Sequence, residues 1–337
     1  MSGDSANSHL ANSHLDRVRS VVADETAPAR SAVAASWRRC VTLHKLDPAA
    51  SLAPAILTAA ELRESRERLE PLARVAQSVM ERLSAAIGDL GCCVLLADAR
   101  GVPLERRGAP ADAEIFDRRG LRTGARWSEA HQGTNAIGAC IVEERALTIH
   151  RDQHFHAQNT GLSCTAAPIF DHLGRLAAAL DVSSCRETLA DGLTNLLSVA
   201  VVDAARTIEA LNFRRAFAEA RILLSPQADR NAASLIAVDR HDLVIGATRA
   251  ARLELGVTDA RIAAQLPAAD LLSGAGETEP QNGEPQRSEL EDAERGAIRR
   301  ALARANGNVT AAARLLGVSR ATLHRKLGRL GLSQGPG

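Results

Sequence analysis

A chain of 337 residues with 45% hydrophobic and 24% charged residues has the make-up of a globular protein, long enough for several cores of ~100–200 residues rather than one. No apolar run approaches the ~18 residues that cross a bilayer, and no charged start followed by an apolar stretch marks the chain for export, so it reads as cytoplasmic with no membrane partner. A formal net charge of +1 excludes a uniformly basic nucleic-acid binder and directs attention to where charge is segregated.

Residues 1–30 open with a tandem repeat, "ANSHL" at 6–10 and 11–15, and predict a disordered tail. Residues 31–74 predict a helical segment, beginning with "AASWRRCVTLHKLDP" (34–48). It leads into a charged stretch from Glu61 to Leu90 in which leucines and valines recur three or four apart. At Gly91 the texture changes. "GCCVLLADARGVPLERR" (91–107) predicts a buried strand, a turn through Ala99, Arg100 and Gly101, and a second strand. "GTNAIGACIVEER" (133–145) predicts a helix capped at Thr134. "CTAAPIFDHLGRLAAALDVSS" (164–184) predicts another hairpin, turning through Asp171, His172, Leu173 and Gly174. A long helix from Thr188 to Glu219 closes an α+β sensor-like domain at 75–220. Its stripe of Leu189, Leu193, Leu196, Val199 and Ala200 is either the seam of a homodimer or a face packed on its own domain. Residues 221–272 hold a strand, turn, strand and helix (234–256), too short for a complete domain, and 273–288 read as a flexible linker.

The end of the chain is different. Ile298, Ala301, Leu302 and Ala305 share one helical face, and "NGN" (306–308) breaks that helix and caps the next at Asn308. Gly317 supplies a left-handed turn, and Ser319 caps a third helix whose Leu323, Leu327 and Leu330 face inward while Thr322, Arg325 and Arg329 face out. Residues 287–329 carry ten Arg or Lys against four acids, a net of +6 that leaves the rest of the chain at −5. That segregation predicts a helix-turn-helix at 289–332 whose partner is double-stranded DNA, because phosphate neutralisation drives such binding.

"GNVTAAARLLGVSRATLHRKLGRLGL" resembles the DNA-binding module of the factor for inversion stimulation (Fis), which also closes bacterial regulators of the sigma-54 type. The resemblance implies that Asn308, Thr310 and Thr322 meet phosphates and that Ser319, Arg320 and Arg325 face base edges. Lys326 flanks them, His324 stands where that family often has a basic residue, and Arg329 completes the outer face. "GARWSEAHQGTNAIG" and "HFHAQNTGLSCTAAPI", within 124–184, resemble the GAF domain of acetoin-catabolism regulators of the AcoR type. "SWRRCVTLHKLDP" (36–48) resembles the segment before that domain, and 234–256 resembles a truncated PAS unit. The fold class implied is α+β, a GAF-like antiparallel sheet flanked by helices, with a small all-α Fis-type helix-turn-helix domain.

A helix starting at Thr134 would aim free N–H groups at a small-molecule effector, with Trp127 as a wall and Glu129, Thr134, Asn135, His154 and Cys164 as contacts; each could equally be a cap or core residue. His150, His154 and His156 with Cys164 lack tetrahedral pair spacing, so no metal is expected. The six cysteines (40, 92, 93, 140, 164, 185) read as reduced thiols, and neither cofactor nor catalytic residue is called for. Lysine occurs only at 45 and 326, after His44 and Arg325, so no Gly-Lys step of a phosphate loop exists and the sigma-54 motor is missing. The sequence therefore predicts a ligand-responsive regulator, not an enzyme, acting by occupying DNA or by recruiting RNA polymerase or a motor-containing regulator. Two other classes compete: a GAF-scaffold thiol enzyme of the methionine-sulfoxide reductase kind using Cys92, Cys93, Cys140 or Cys164, and a Fis-like architectural bender of DNA.

Overall fold

The computed structural model describes residues 2–50, 53–186, 191–225, 233–272 and 287–332. The chain forms two compact units, residues 1–171 with 176–209, and residues 172–175 with 210–337.

The first unit begins with helices α1 (Ser2–Ala23), α2 (Ala27–Arg30), α3 (Ala32–Thr42) and α4 (Ala59–Ile87). Thr58 and Glu61 start α4 with a reciprocal capping box, each side chain bonding the other's backbone N–H. Strands β1 (Cys92–Asp98) and β2 (Pro103–Gly108) follow, then α5 (Ala113–Arg118), α6 (Glu129–Gln132), α7 (Ala136–Glu143) and β3 (Leu147–His150). The hairpin of β4 (Ser163–Phe170) and β5 (Leu176–Ser184) leads to α8 (Asp191–Ala216). The strands form one antiparallel sheet in the order β2-β1-β5-β4-β3, with Leu96 opposite Leu180 and Leu180 opposite Ala167.

Strand alternation gives this sheet two buried faces. On one, Cys92, Val94 and Leu96 with Leu180 and Val182 pack under α4 (Leu69, Leu72, Ala76, Val79, Met80, Leu83) and α8 (Leu197, Val201, Ala204, Ala205, Ile208). On the other, Cys93, Leu95, Ala97, Cys164, Ala166 and Ala179 pack under α7, Trp127, Phe116 and Leu162. The stripe expected along α8 is thus divided. Leu193 and Ala200 lean on the core, Leu196 and Val199 stay exposed, and Leu189 lies outside the described residues.

The disordered tail expected at 1–30 is corrected to a helix. Val18, Val21 and Val22 fall on one face of α1 and pack with Trp37, Cys40 and Phe155, while His14 Nε2 meets the Phe155 carbonyl at 3.2 Å. The repeat concealed this stripe, because the apolar spacing begins only at its end.

In the second unit a three-stranded antiparallel sheet, β6 (Arg221–Leu224), β7 (Leu235–Val238) and β8 (Val244–Ala247), is covered on one face by α9 (Arg249–Leu255), with α10 (Asp259–Ala263) and α11 (Ala269–Leu272) following. Its other face meets Phe213 and Phe217. The remaining helices are α12 (Arg287–Arg304), α13 (Val309–Leu315) and α14 (Arg320–Arg329). Of the expected linker, residues 273–286 lie outside the described residues, and Arg287 and Ser288 belong to α12. Strand β6 was not foreseen: four residues after a long helix carry too little alternation to announce a strand.

Gly138 is the tightest approach in the first unit's helical face. A Cβ there would come within 2.6 Å of Glu129 N and 2.8 Å of the Trp127 carbonyl, both backbone atoms that cannot turn aside. Gly138→Ala should therefore push α7 off the 127–129 turn and cost about 1–3 kcal/mol, despite alanine's better helix propensity. Urea unfolding of the variant is the measurement, and unchanged stability would contradict the packing.

Candidate functional site

The last three helices form a compact trihelical unit. Ile298, Ala301, Ala312, Ala313, Leu323, Leu327 and Leu330 make its core, as the spacing predicted. Asn308 Oδ1 caps α13 by accepting from Thr310 N and Ala311 N, at 3.0 and 3.1 Å. Gly317 takes φ +65° between α13 and α14, a left-handed turn that an L side chain would strain. Ser319 caps α14, its Oγ accepting from Thr322 N at 3.1 Å and bonding Thr322 Oγ1 at 2.8 Å.

The expected DNA-contacting residues do not all stand equally free. Among the described residues Arg320 and Arg325 project from α14 without an ion pair, while Lys326 and Arg329 both reach the Glu294 carboxylate on α12, whose pKa their hydrogen bonds and charge lower. Thr310 is exposed beside the Asn308 cap, and His324 is half-buried on α14. Arginine's planar fork suits guanine edges and phosphate alike, so α14 presents its strongest unneutralised donors at its start and middle.

The expected ligand contacts of the first unit are all buried, and their polar atoms bond within the chain with the exception of His154 Nε2, which has no partner among the described residues. Trp127 Nε1 donates to the Gly120 carbonyl at 2.9 Å. Asn135, not Thr134, is the helix cap: its Oδ1 accepts from Gly138 N at 2.9 Å and its Nδ2 donates to the carbonyls of Trp127 and Gly133. Thr134 Oγ1 is 2.6 Å from Ser36 Oγ, which in turn donates to Glu129 Oε1 at 2.6 Å. The same Glu129 carboxylate accepts both a 2.9 Å and a 2.8 Å bond from Arg39, whose remaining nitrogen donates to Glu143 at 2.8 Å. The expected seat for a ligand before α7 is therefore filled by α3 and by the cap itself.

His154 Nδ1 donates to the Arg151 carbonyl at 2.9 Å, which leaves Nε2 an acceptor in the neutral ring, and burial lowers its pKa to about 4. His150 bonds Ser163 Oγ at 2.8 Å, and among the described residues no three His, Cys, Asp or Glu side chains converge as a metal site. Burial pushes the Cys40 and Cys185 thiols up to about 11 and raises Cys92, Cys93, Cys140 and Cys164 as well. A thiol nucleophile acts as thiolate, so none of the six is set up for that chemistry at neutral pH.

One acid was not singled out in the sequence. Asp181 lies mid-strand in β5, fully buried on the face that carries Cys93, Cys140 and Cys164. Its Oδ2 accepts from Ser183 Oγ at 2.6 Å, while Oδ1 has no hydrogen-bond partner among the described residues. Burial pushes its carboxyl up to about 7. A lone acid inside "LAAALDVSS" was the available signal, since such a strand has no solvent face on which to place it.

Two family models match this geometry, "GAF domain" over residues 71–208 and "Bacterial regulatory protein, Fis family" over 289–330. The chain carries a GAF domain and a Fis-type helix-turn-helix. It is 38% identical over 224 residues to the acetoin catabolism regulatory protein of Cupriavidus necator, covering 65% of this chain and 34% of that one. It is 31% identical over 166 residues to the acetoin dehydrogenase operon transcriptional activator AcoR of Bacillus subtilis, covering 49% and 27%. The chain thus spans about a third or less of the length of these curated relatives. In fold it matches a chain of the E. coli DhaR(N)–DhaL complex with TM-score 0.51 at 19% identity, over 67% of this chain and 76% of that one. No described helix is long and apolar enough to cross a membrane.

Asp181 gives the GAF domain a testable pH signature. Its raised pKa means that the fold favours the neutral acid: its contribution is complete below the unfolded value near 4 and is lost as pH rises through about 7. Histidine 154 acts oppositely, its contribution being present above 6.5 and lost as pH falls towards 4. Asp181→Asn should remove only the first slope. Relative to the parent, the variant should become more stable between pH 4 and pH 8 by roughly 2–4 kcal/mol. Superimposable pH profiles in urea unfolding would rule this out.

Proposed function

We propose that this chain is a transcription regulator whose Fis-type domain binds double-stranded DNA through the outer face of α14 and whose GAF domain answers to a small metabolite. The observation that carries the DNA reading is the division of α14 into a buried leucine row and an outer row where Arg320 and Arg325 have no ion pair among the described residues. Arg320 and Arg325 address base edges; Asn308, Thr310 and Thr322 lie near phosphates; Lys326 and Arg329, held by Glu294, act as a neutralised flank. Two copies bind together, since one reader contacts few base pairs, and Leu196 and Val199, exposed on α8, are the apolar residues offered to the second copy.

Arg320→Ala should lose about 1–3 kcal/mol of discrimination between operator and random DNA, while affinity for random DNA changes little. An equal loss on both would make Arg320 a phosphate contact. In sedimentation, Leu196→Glu should yield monomers that bind DNA more weakly; a monomeric parent removes the dimer.

For the effector, support comes from the relatives' names and from the buried face of the GAF sheet. There, Asp181 Oδ1 lacks a hydrogen-bond partner among the described residues, whereas Trp127, Glu129, Thr134 and Asn135 form the supporting frame and Cys164 lines the sheet; His154, in the loop after β3, is buried with Nε2 unpartnered among the described residues. A small hydroxy-ketone such as acetoin has a hydroxyl that Asp181 Oδ1 would accept. With no phosphate loop in the sequence, the chain itself supplies no ATP-driven remodelling, so it regulates by occupancy or by recruiting RNA polymerase or a motor-containing regulator. Calorimetric titration of acetoin with and without operator should show affinities that differ by the same factor by which acetoin alters operator affinity. DNA binding indifferent to acetoin would favour an architectural role instead.

A further inference from the structure

The second unit contains a pocket that the DNA reading does not use. Its volume is about 530 Å³, and it opens where the end of α8, the β7–β8 turn and α12 meet. Each element contributes one guanidinium: Arg215 from α8, Arg240 from the turn and Arg299 from α12. None of the three has a carboxylate partner among the described residues, whereas Arg300 on the same helix as Arg299 pairs with Asp242, and Arg304 with Asp270. Two acids also line the pocket, Asp239 and the exposed Glu219, against the three guanidinium groups; Asp239 Oδ1 is committed to the turn, accepting from His241 N at 2.8 Å and Leu243 N at 3.0 Å.

The wall is completed by His241, which is 1% exposed. Its Nε2 accepts from Arg240 Nε at 3.2 Å, which leaves the ring proton on Nδ1, and Nδ1 has no partner among the described residues. Burial and the neighbouring Arg299 charge hold its pKa below the usual histidine value, consistent with that neutral tautomer. Nδ1 is turned inward beside Gly296 of α12, so the donors that face the pocket are the three guanidinium groups and the His241 ring serves as wall. Beside these donors lie Phe217 and Ile245. The Phe217 ring presses on Gly246, where a Cβ would come within 2.2 Å of Cζ, so its position is fixed by the absence of a side chain.

We propose that this pocket binds a small organic oxyanion, a phosphate or carboxylate on an apolar body, with Arg215, Arg240 and Arg299 around the anionic group and Phe217, Ile245 and the His241 ring as the wall against the body. Guanidinium forks match phosphate and carboxylate oxygens, and a mostly apolar pocket with a few convergent donors is the usual form of a small-molecule site. Such a guest would tie α12 to the three-stranded sheet. It adds to the bonds that Arg300 makes to the His241 carbonyl and Arg304 to Asp270, and so acts on the first helix of the DNA reader. The site stands apart from the effector face of the GAF domain, and its test does not depend on that proposal.

The experiment is calorimetric titration of the full-length chain with phenyl phosphate, benzoate, inorganic phosphate and phenol, accompanied by the His241 ring resonances in NMR. Phenyl phosphate or benzoate should bind and shift the His241 signals, the tighter of the two identifying the oxyanion. Inorganic phosphate should bind at least tenfold more weakly than the better organic anion, and phenol should leave the signals unmoved. Arg215 and Arg240 are exposed, so their replacement by alanine leaves the core intact; each change, and Arg299→Ala, should weaken binding at least tenfold. Equal binding of phenol, affinity unaltered in all three variants, or organic anions that leave His241 unshifted would overturn the proposal.

Discussion

The arrangement of the first unit depends on a buried ion pair. Glu129 is almost wholly enclosed, and its two carboxylate oxygens take a forked pair of bonds from Arg39 and a third from Ser36. Enclosing a carboxylate is costly, and the cost is met only when geometry and hydrogen bonding are complete. Every residue that completes it is also a positioning device. Ser36 passes the contact to Thr134, Arg39 passes it to Glu143 at the far end of α7, and the short helix that carries Glu129 lies against Gly138. The helix that precedes the GAF domain thereby sets where α7 lies over the sheet, and so sets the shape of the face that holds Asp181.

In the reader, a second carboxylate works in the opposite manner. Glu294 is only partly enclosed and draws in two cations of α14. Surface pairs of this kind contribute little to stability, but they decide which charges are left to meet a polyanion. The net basicity of the module overstates what α14 presents: its inner end is compensated by α12, and its leading turn is not. Orientation on DNA follows from that gradient along one helix.

Much of this was legible in the sequence because its signals were local. The two hairpins declared themselves through Gly101 and Gly174, both with φ +78°, and the third helix of the reader through Ser319, Gly317 and a leucine every three or four residues. What escaped was decided at a distance. Thr134 and Asn135 are both good caps by type, and Asn135 takes the role because the Thr134 hydroxyl is engaged by Ser36, 98 residues earlier. The motif "WSEAHQGTNAIG" read as a ligand seat for the same reason: its partners, Ser36 and Arg39, lie in a segment whose resemblance to the family was evident but whose contact was not. Asp181 escaped because alternation along β5 places it on a face that only the second layer of helices buries.

The clamp has a consequence for where the GAF domain begins. The family boundary starts the GAF domain at residue 71, within α4 and beyond α3. A piece cut there would keep Glu129 and lose Arg39 and Ser36, leaving a carboxylate enclosed without its counter-charge, a defect of about 3–5 kcal/mol that is comparable to the whole stability of a small domain. The unit that recombination can move between proteins intact is therefore longer than the recognisable domain. It includes the helix beginning at Ala32, because Ser36 and Arg39 of "SWRR" complete the bonds that Glu129 of "WSEAHQGTNAIG" requires.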